Sequence, residues 1–276
     1  MEYPSARVYR YSTEKECDAN HEIFASAIRA VKNVTPEGFA AIKITALGNP
    51  LLLERWSSSL IEIRALFHRM DKTGSGKMNF SEFKQAWSEY FIMDDESDTF
   101  IVNMFQKFDV SDDGYIDSIE WTTSLKASDT QFLANKCLHK GDFYQSSLDE
   151  EEVRLVNTLM HRADTLVQLA EELDVKVMFD AEHTYFQPAI HNIVLDLQRT
   201  YNKGKRARVY NTFQMYLKSS ERELERSILS SEREVSFCML HFHKVGEFFC
   251  QDRNSINTLL HIFHPLSFRV GILLPN

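Results

Sequence analysis

No apolar run in these 276 residues approaches the roughly 20 needed to span a bilayer, so no transmembrane segment is expected. Cysteine is scarce. Cys17, Cys137, Cys238 and Cys250 are scattered with no CxxC pair, which suits a reduced intracellular compartment better than a disulfide scaffold. Positive charge is in deficit, with 31 Lys and Arg against 40 Asp and Glu and a formal net charge of −9. A general nucleic-acid binder needs a basic face, and that class is excluded. The opening MEYPSARVYRYSTEKECD carries Arg7 and Arg10 but also Glu2, Glu14, Glu16 and Asp18. It reads as neither a secretory signal nor an acid-poor transit peptide. A phosphate-binding loop is lacking too. Gly74-Ser-Gly-Lys77 imitates one, but Asp71 and Met78 stand where that motif needs a glycine and a Ser or Thr.

What is present is an ordinary globular composition, 43% hydrophobic and 26% charged, long enough for one large domain or two smaller ones. The stretch VKVMFDAEHTYFQPAI, Val175 to Ile190, organises it. Val175, Val177 and Phe179 alternate with Lys176, Met178 and Asp180, the period of a strand with both faces in use. The strand ends on Asp180, passes the polar turn Glu182-His183-Thr184, and leads into a helix with Ile190, Ile193, Val194 and Leu197 on one side. A carboxylate at the carboxyl end of a buried strand either organises the turn or belongs to a site, since α/β folds place their chemistry there.

Residues 17–34 predict a first helix, and Phe39 to Leu47 (FAAIKITAL) a buried strand with Lys43 in its middle. That lysine lies on an exposed edge, snorkels, or is held in a site by anionic partners. Asn49-Pro50 opens a helix with a capping side chain and proline at the first helical position. Leu53, Trp56, Leu60, Ile63 and Phe67 form its apolar stripe.

That helix runs into Asp71–Glu82. Calcium loops supply oxygen at positions 1, 3, 5, 7 and 9, glycine at 6 and a bidentate acid at 12. Asp71, Thr73, Ser75, the Lys77 carbonyl, Asn79 and Glu82 fill those places around Gly76. The pattern returns 38 residues later with Asp109, Ser111, Asp113, the Tyr115 carbonyl, Asp117 and Glu120 around Gly114. Two such loops between amphipathic helices predict a pair of EF-hands, with Met78 and Ile116 placed for a short strand contact between them. Loop two offers four carboxylates and loop one two, so loop two is expected to bind calcium more tightly; loop one is either occupied or a structural loop.

Ser147-Leu-Asp-Glu150 reads as a capping box opening a long helix. A third strand is expected over Arg208–Phe213, followed by Gln214, about thirty residues after the second, the length of a βα unit. From Val235 onward six phenylalanines and four histidines stand beside only two acids, Glu247 and Asp252, and no barrel-like period is evident. Cys238, His241, His243 and Cys250 match no zinc spacing.

FAAIKITALG, VMFDAEHTYFQPAI and YNTFQMYLK resemble successive strand motifs of eukaryotic mitochondrial proline dehydrogenase, over roughly residues 7–70 and 148–220. The resemblance implies α/β architecture, a partial (β/α)8 TIM-type barrel of the first three βα units with an inserted all-α EF-hand pair. The expected division is 1–58 first barrel strand and flanking helices, 59–126 EF-hand pair, 127–147 linker, 148–220 barrel units two and three, and 221–276 a divergent tail. It further implies FAD-dependent oxidation of L-proline to 1-pyrroline-5-carboxylate, quinone as electron acceptor, mitochondrial location and peripheral association with the inner membrane. By the same resemblance, Lys43 holds the substrate carboxylate, Asp180 lies in the flavin–substrate site, and Gln214 contacts FAD. The family's fourth-strand arginine ahead of Gly-Ala-Tyr and its late arginine pair have no counterpart here, and the chain looks like a truncated product with doubtful activity alone. The competing reading is a calcium-binding interaction module with a vestigial, inactive barrel fragment.

Overall fold

The computed structural model describes residues 13–35, 38–93, 97–203, 207–214, 216–233, 238–243 and 270–273. In chain order these form α1 (Glu14–Val34), β1 (Phe39–Ile42), α2 (Pro50–Met70), β2 (Lys77–Asn79), α3 (Phe80–Tyr90), α4 (Ser97–Phe108) and β3 (Tyr115–Asp117). Then come α5 (Ser118–Thr123), α6 (Ala127–Lys136), α7 (Asp142–Ser146), α8 (Glu150–Glu172) and β4 (Lys176–Phe179). The order closes with α9 (Gln187–Tyr201), β5 (Val209–Gln214), α10 (Ser220–Arg233), β6 (Cys238–His243) and β7 (Val270–Leu273). Among the described residues no helix is long and apolar enough to cross a membrane. The chain divides into two compact units. One takes Met1–Asp18, Thr45–Arg162 and Glu182–Asn192; the other takes Ala19–Ile44, Ala163–Ala181 and Ile193–Asn276.

The second unit holds the sheet, in the order β1-β4-β5-β6-β7 with every pair parallel. Ala40 and Ile42 on β1, Val177 and Phe179 on β4, and Val209 and Phe213 on β5 are buried. Burial on alternate positions of β1 and β4 is what the period-two sequence pattern requires. The expected long first strand is cut short: after Ile42 the chain turns into a 3-10 segment, Ile44–Ala46.

The three expected strands become five. β6 and β7 lie inside the segment expected as a divergent tail, and β6 pairs in register with β5 from Asn211↔Leu240 to Gln214↔His243. In hindsight Cys238, Leu240 and Phe242 alternate with Met239, His241 and His243, a strand period masked by the unusual composition. Cys250 lies outside the described residues.

The other unit is helical. Asn49 accepts a hydrogen bond from the Leu51 N–H at 3.1 Å, and Pro50 takes the first helical position of α2, as expected. Strands β2 and β3 pair antiparallel with Met78 opposite Ile116, the contact expected between the loops. Below them lies an aromatic core of Phe67, Phe83, Trp87, Phe91, Phe108 and Trp121, all buried. The expected linker over 127–147 is instead largely helical. Leu133 and Ala134 of α6 and Phe143 of α7 belong to that same core, which three apolar residues among polar neighbours did not reveal.

The α8 cap also moves. Asp149 accepts from the Glu152 N–H at 2.8 Å and Glu152 accepts from the Asp149 N–H at 2.9 Å, so the box is Asp149/Glu152 rather than Ser147/Glu150. Asp149→Ala is expected to cost about 1 kcal/mol, seen as a lower urea midpoint at unchanged slope. If instead Ser147→Ala lowers the midpoint and Asp149→Ala does not, the cap is at Ser147.

Candidate active site

In a parallel pair, residues in register point to the same face of the sheet, and successive residues alternate between faces. The register Ile42↔Phe179 puts Lys43 and Asp180 one step further on, beside each other at the carboxyl ends of β1 and β4. The Asp180 N–H donates to the Ile42 carbonyl at 3.0 Å, which carries the ladder that extra step. Lys43 Nζ stands 3.8 Å from Asp180 Oδ2, with both side chains about one-third exposed (35% and 32%). The lysine thus has an anionic neighbour and also follows an edge strand of the described sheet, so the edge reading and the anionic-partner reading both fit its position.

The register Phe179↔Asn211 continues the same face onto β5 through Tyr210, Thr212 and Gln214. At its lower edge the Phe39 and Tyr210 rings meet edge to face at 4.8 Å, and Lys176 Nζ sits 5.2 Å from the Phe39 ring. Those contacts confirm that the three strands share this face. Gln214 ends β5, and its carbonyl accepts from the Ser220 hydroxyl at 2.7 Å, tying the strand end to the start of α10. The structure thus brings Lys43, Asp180 and Gln214 to one face and one end of a parallel sheet. A cation, a carboxylate and an amide at one strand end suit a zwitterionic substrate and the polar edge of an aromatic cofactor.

One feature of the polar turn after Asp180 escaped the sequence reading. Glu182 is buried, and its carboxylate accepts from both the N–H (3.1 Å) and the hydroxyl of Thr45. Its own N–H donates to Gln187 Oε1 at 3.0 Å. A glutamate in a turn carries no sequence mark of such a lock; the partner lies 137 residues away.

The two loops are built alike. Gly76 and Gly114, at loop position 6, adopt φ of 81° and 82°, and Gly74 and Asp112, at position 4, adopt 66° and 55°. Only glycine takes φ near +80° freely, which explains position 6. In loop one, Thr73 Oγ1 lies 2.9 Å from both Asp71 Oδ1 and Ser75 Oγ, and Ser75 Oγ lies 2.7 Å from the Lys77 carbonyl. The oxygens at positions 1, 3, 5 and 7 therefore converge. Burial pushes the Asp71 carboxyl up, but hydrogen bonds from the Gly76 N–H, the Thr73 hydroxyl and the Ser75 N–H outweigh it and hold the group below its ordinary range.

In loop two, Asp109 accepts from the Asp113 and Gly114 N–H groups, and Asp117 caps α5 through the Ile119 and Glu120 N–H groups. Glu120 accepts from Ser111 and Asp117 N–H at 3.0 and 3.1 Å. Each carboxylate is spent on backbone amides, and among the described residues no three His, Cys, Asp or Glu side chains gather as a metal-holding group. The donor set is nonetheless all oxygen, in the number and order that calcium takes.

The family described as "Proline dehydrogenase" matches residues 60–244. "Proline dehydrogenase 1, mitochondrial" of Caenorhabditis elegans is 34% identical over 239 residues, covering 83% of this chain and 38% of that protein. The Homo sapiens protein of the same name is 31% identical over 242 residues, covering 83% of this chain and 40% of its own length. The chain thus spans about two-fifths of the length of these two relatives.

Proposed function

The chain belongs to the proline dehydrogenase family, and on that premise we propose that it serves FAD-dependent oxidation of L-proline to 1-pyrroline-5-carboxylate in mitochondria. The observation that carries the reading is the Lys43–Asp180 pair at the carboxyl ends of adjacent parallel strands, on one face with Gln214. Barrel-type sheets present their chemistry at that end. The mitochondrial assignment rests on the names of the relatives.

Lys43 is the cation for the proline carboxylate, in a charge-assisted contact. In the ligand-free site it is offset by Asp180 across 3.8 Å, so an arriving carboxylate exchanges one anionic partner for another rather than meeting a bare charge. Asp180 then keeps a negative charge beside the substrate ammonium. Gln214 offers both an amide donor and an amide acceptor to a flavin ring. FAD held beside Gln214 would supply the two-electron oxidation of proline, with quinone as the final acceptor. The test is proline-dependent reduction of a quinone analogue with added FAD; turnover no greater than that without protein, together with no FAD binding, overturns the reading.

The paired loops are read as EF-hands that bind calcium, through Asp71, Thr73, Ser75, Lys77, Asn79 and Glu82 in loop one. Loop two would use Asp109, Ser111, Asp113, Tyr115, Asp117 and Glu120. The convergent oxygens of loop one and the antiparallel pairing of the loops support this. Calcium competes with backbone amides for Glu120, and four carboxylates against two favour loop two, with an affinity of about 10⁻⁷–10⁻⁵ M. In calorimetric titration, Glu120→Gln is expected to remove the tighter site and Glu82→Gln the weaker one. The reverse result overturns the ranking.

A further inference from the structure

Thr212 lies on the site face of β5, one step past the Phe179↔Asn211 register and two residues before Gln214. It is 4% exposed, and its hydroxyl has no hydrogen-bond partner among the described residues. A buried hydroxyl without a partner costs free energy that valine, of nearly the same shape and at least as fit for a strand, does not incur. Packing therefore gives no reason for a threonine here. A ligand does.

We infer that the Thr212 hydroxyl is a further cofactor contact, hydrogen-bonding the polar edge of the flavin ring beside Gln214. The inference rests on the family reading proposed above. Two residues of strand separate the two side chains by roughly 7 Å on one face, so a single flat ring lying along β5 meets both. A hydroxyl donates and accepts at once, which suits an edge where carbonyl oxygens and an N–H alternate. Lys43 and Asp180, at the ends of β1 and β4, remain for the substrate.

The experiment is FAD titration of the 276-residue protein, followed by quenching of flavin fluorescence, for wild type, Thr212→Val and Thr212→Ser. Thr212→Val is expected to weaken FAD binding about tenfold, and Thr212→Ser to stay close to wild type. Without FAD, the valine variant is expected to melt at or above the wild-type temperature, because an unpartnered buried hydroxyl has been removed. With FAD, it should gain less thermal stability than wild type. Equal FAD affinity in wild type and Thr212→Val overturns the inference alone. Failure of the wild-type protein to bind FAD overturns the inference together with the cofactor reading beneath it.

Discussion

Trp121→Ala is expected to lower the unfolding free energy by about 4 kcal/mol, within the range for truncating a fully buried tryptophan. Trp121 is wholly buried, its ring 4.5 Å from Phe108 and 6.1 Å from Phe83, and its indole N–H donates to the Ile63 carbonyl at 2.8 Å. Three losses therefore coincide: transfer of the ring, the cavity it leaves, and a buried carbonyl deprived of a donor. Trp121→Phe keeps part of the volume but not the donor, and a loss of about 1–2 kcal/mol is expected. Urea unfolding followed by far-ultraviolet circular dichroism separates them. Equal losses for the two variants would show that the hydrogen bond, not the packing, dominates.

Under the proposed function, Lys43→Met is expected to raise the KM for proline by roughly thirtyfold with a smaller change in kcat. A hydrogen bond to a charged group contributes about 2 kcal/mol, which converts to that factor. Methionine keeps the aliphatic stem and removes only the ammonium, so the loss reports binding of the carboxylate. Asp180→Ala is expected to lower kcat/KM by at least as much, because it leaves Lys43 without its 3.8 Å partner as well as removing a charge from the site. Residues in contact are not additive, and the double variant should lose less than the product of the single effects. Full additivity in steady-state proline oxidation would show that the two side chains act independently. Unchanged kinetics for both would return them to a structural role.

Much of this was legible because local chemistry settles it. Asn49-Pro50 caps α2 as its sequence demands, and two loops with glycine at position 6 and glutamate at position 12 leave little freedom of backbone. Lys43 was ambiguous in the sequence, since a lysine in a strand looks alike on an edge and in a site; the register adds its neighbour Asp180, and the strand order leaves β1 at the edge of the described sheet. The α8 cap failed for a definable reason. Ser147/Glu150 and Asp149/Glu152 have identical spacing, and only the flanking apolar residues separate them. Leu148 and Val153, both buried, occupy the staple positions of the Asp149 cap, whereas Ser146 and Glu151 would occupy those of Ser147. Reading the staple with the box would have chosen correctly. Thr212 and Glu182 were invisible because their significance lies in burial and in partners far along the chain, or in the lack of one.

The separation of β1 from β4 has a consequence for how the sheet assembles. These neighbours are divided by residues 43–175, 133 positions, while β4 and β5 are divided by 29, residues 180–208. Closing the longer loop costs about 1.3 kcal/mol more than a crossover of thirty residues, and contacts distant in sequence form late. The β4–β5 pair is therefore expected to form before β1 docks onto it, with higher φ-values for side chains on β4 and β5 than for those on β1 in refolding kinetics. Lys43 is delivered to Asp180 only at that last step. Prior collapse of the intervening helices would shorten the effective loop, so the folding speed of residues 43–175 is expected to set how soon the charged pair is made.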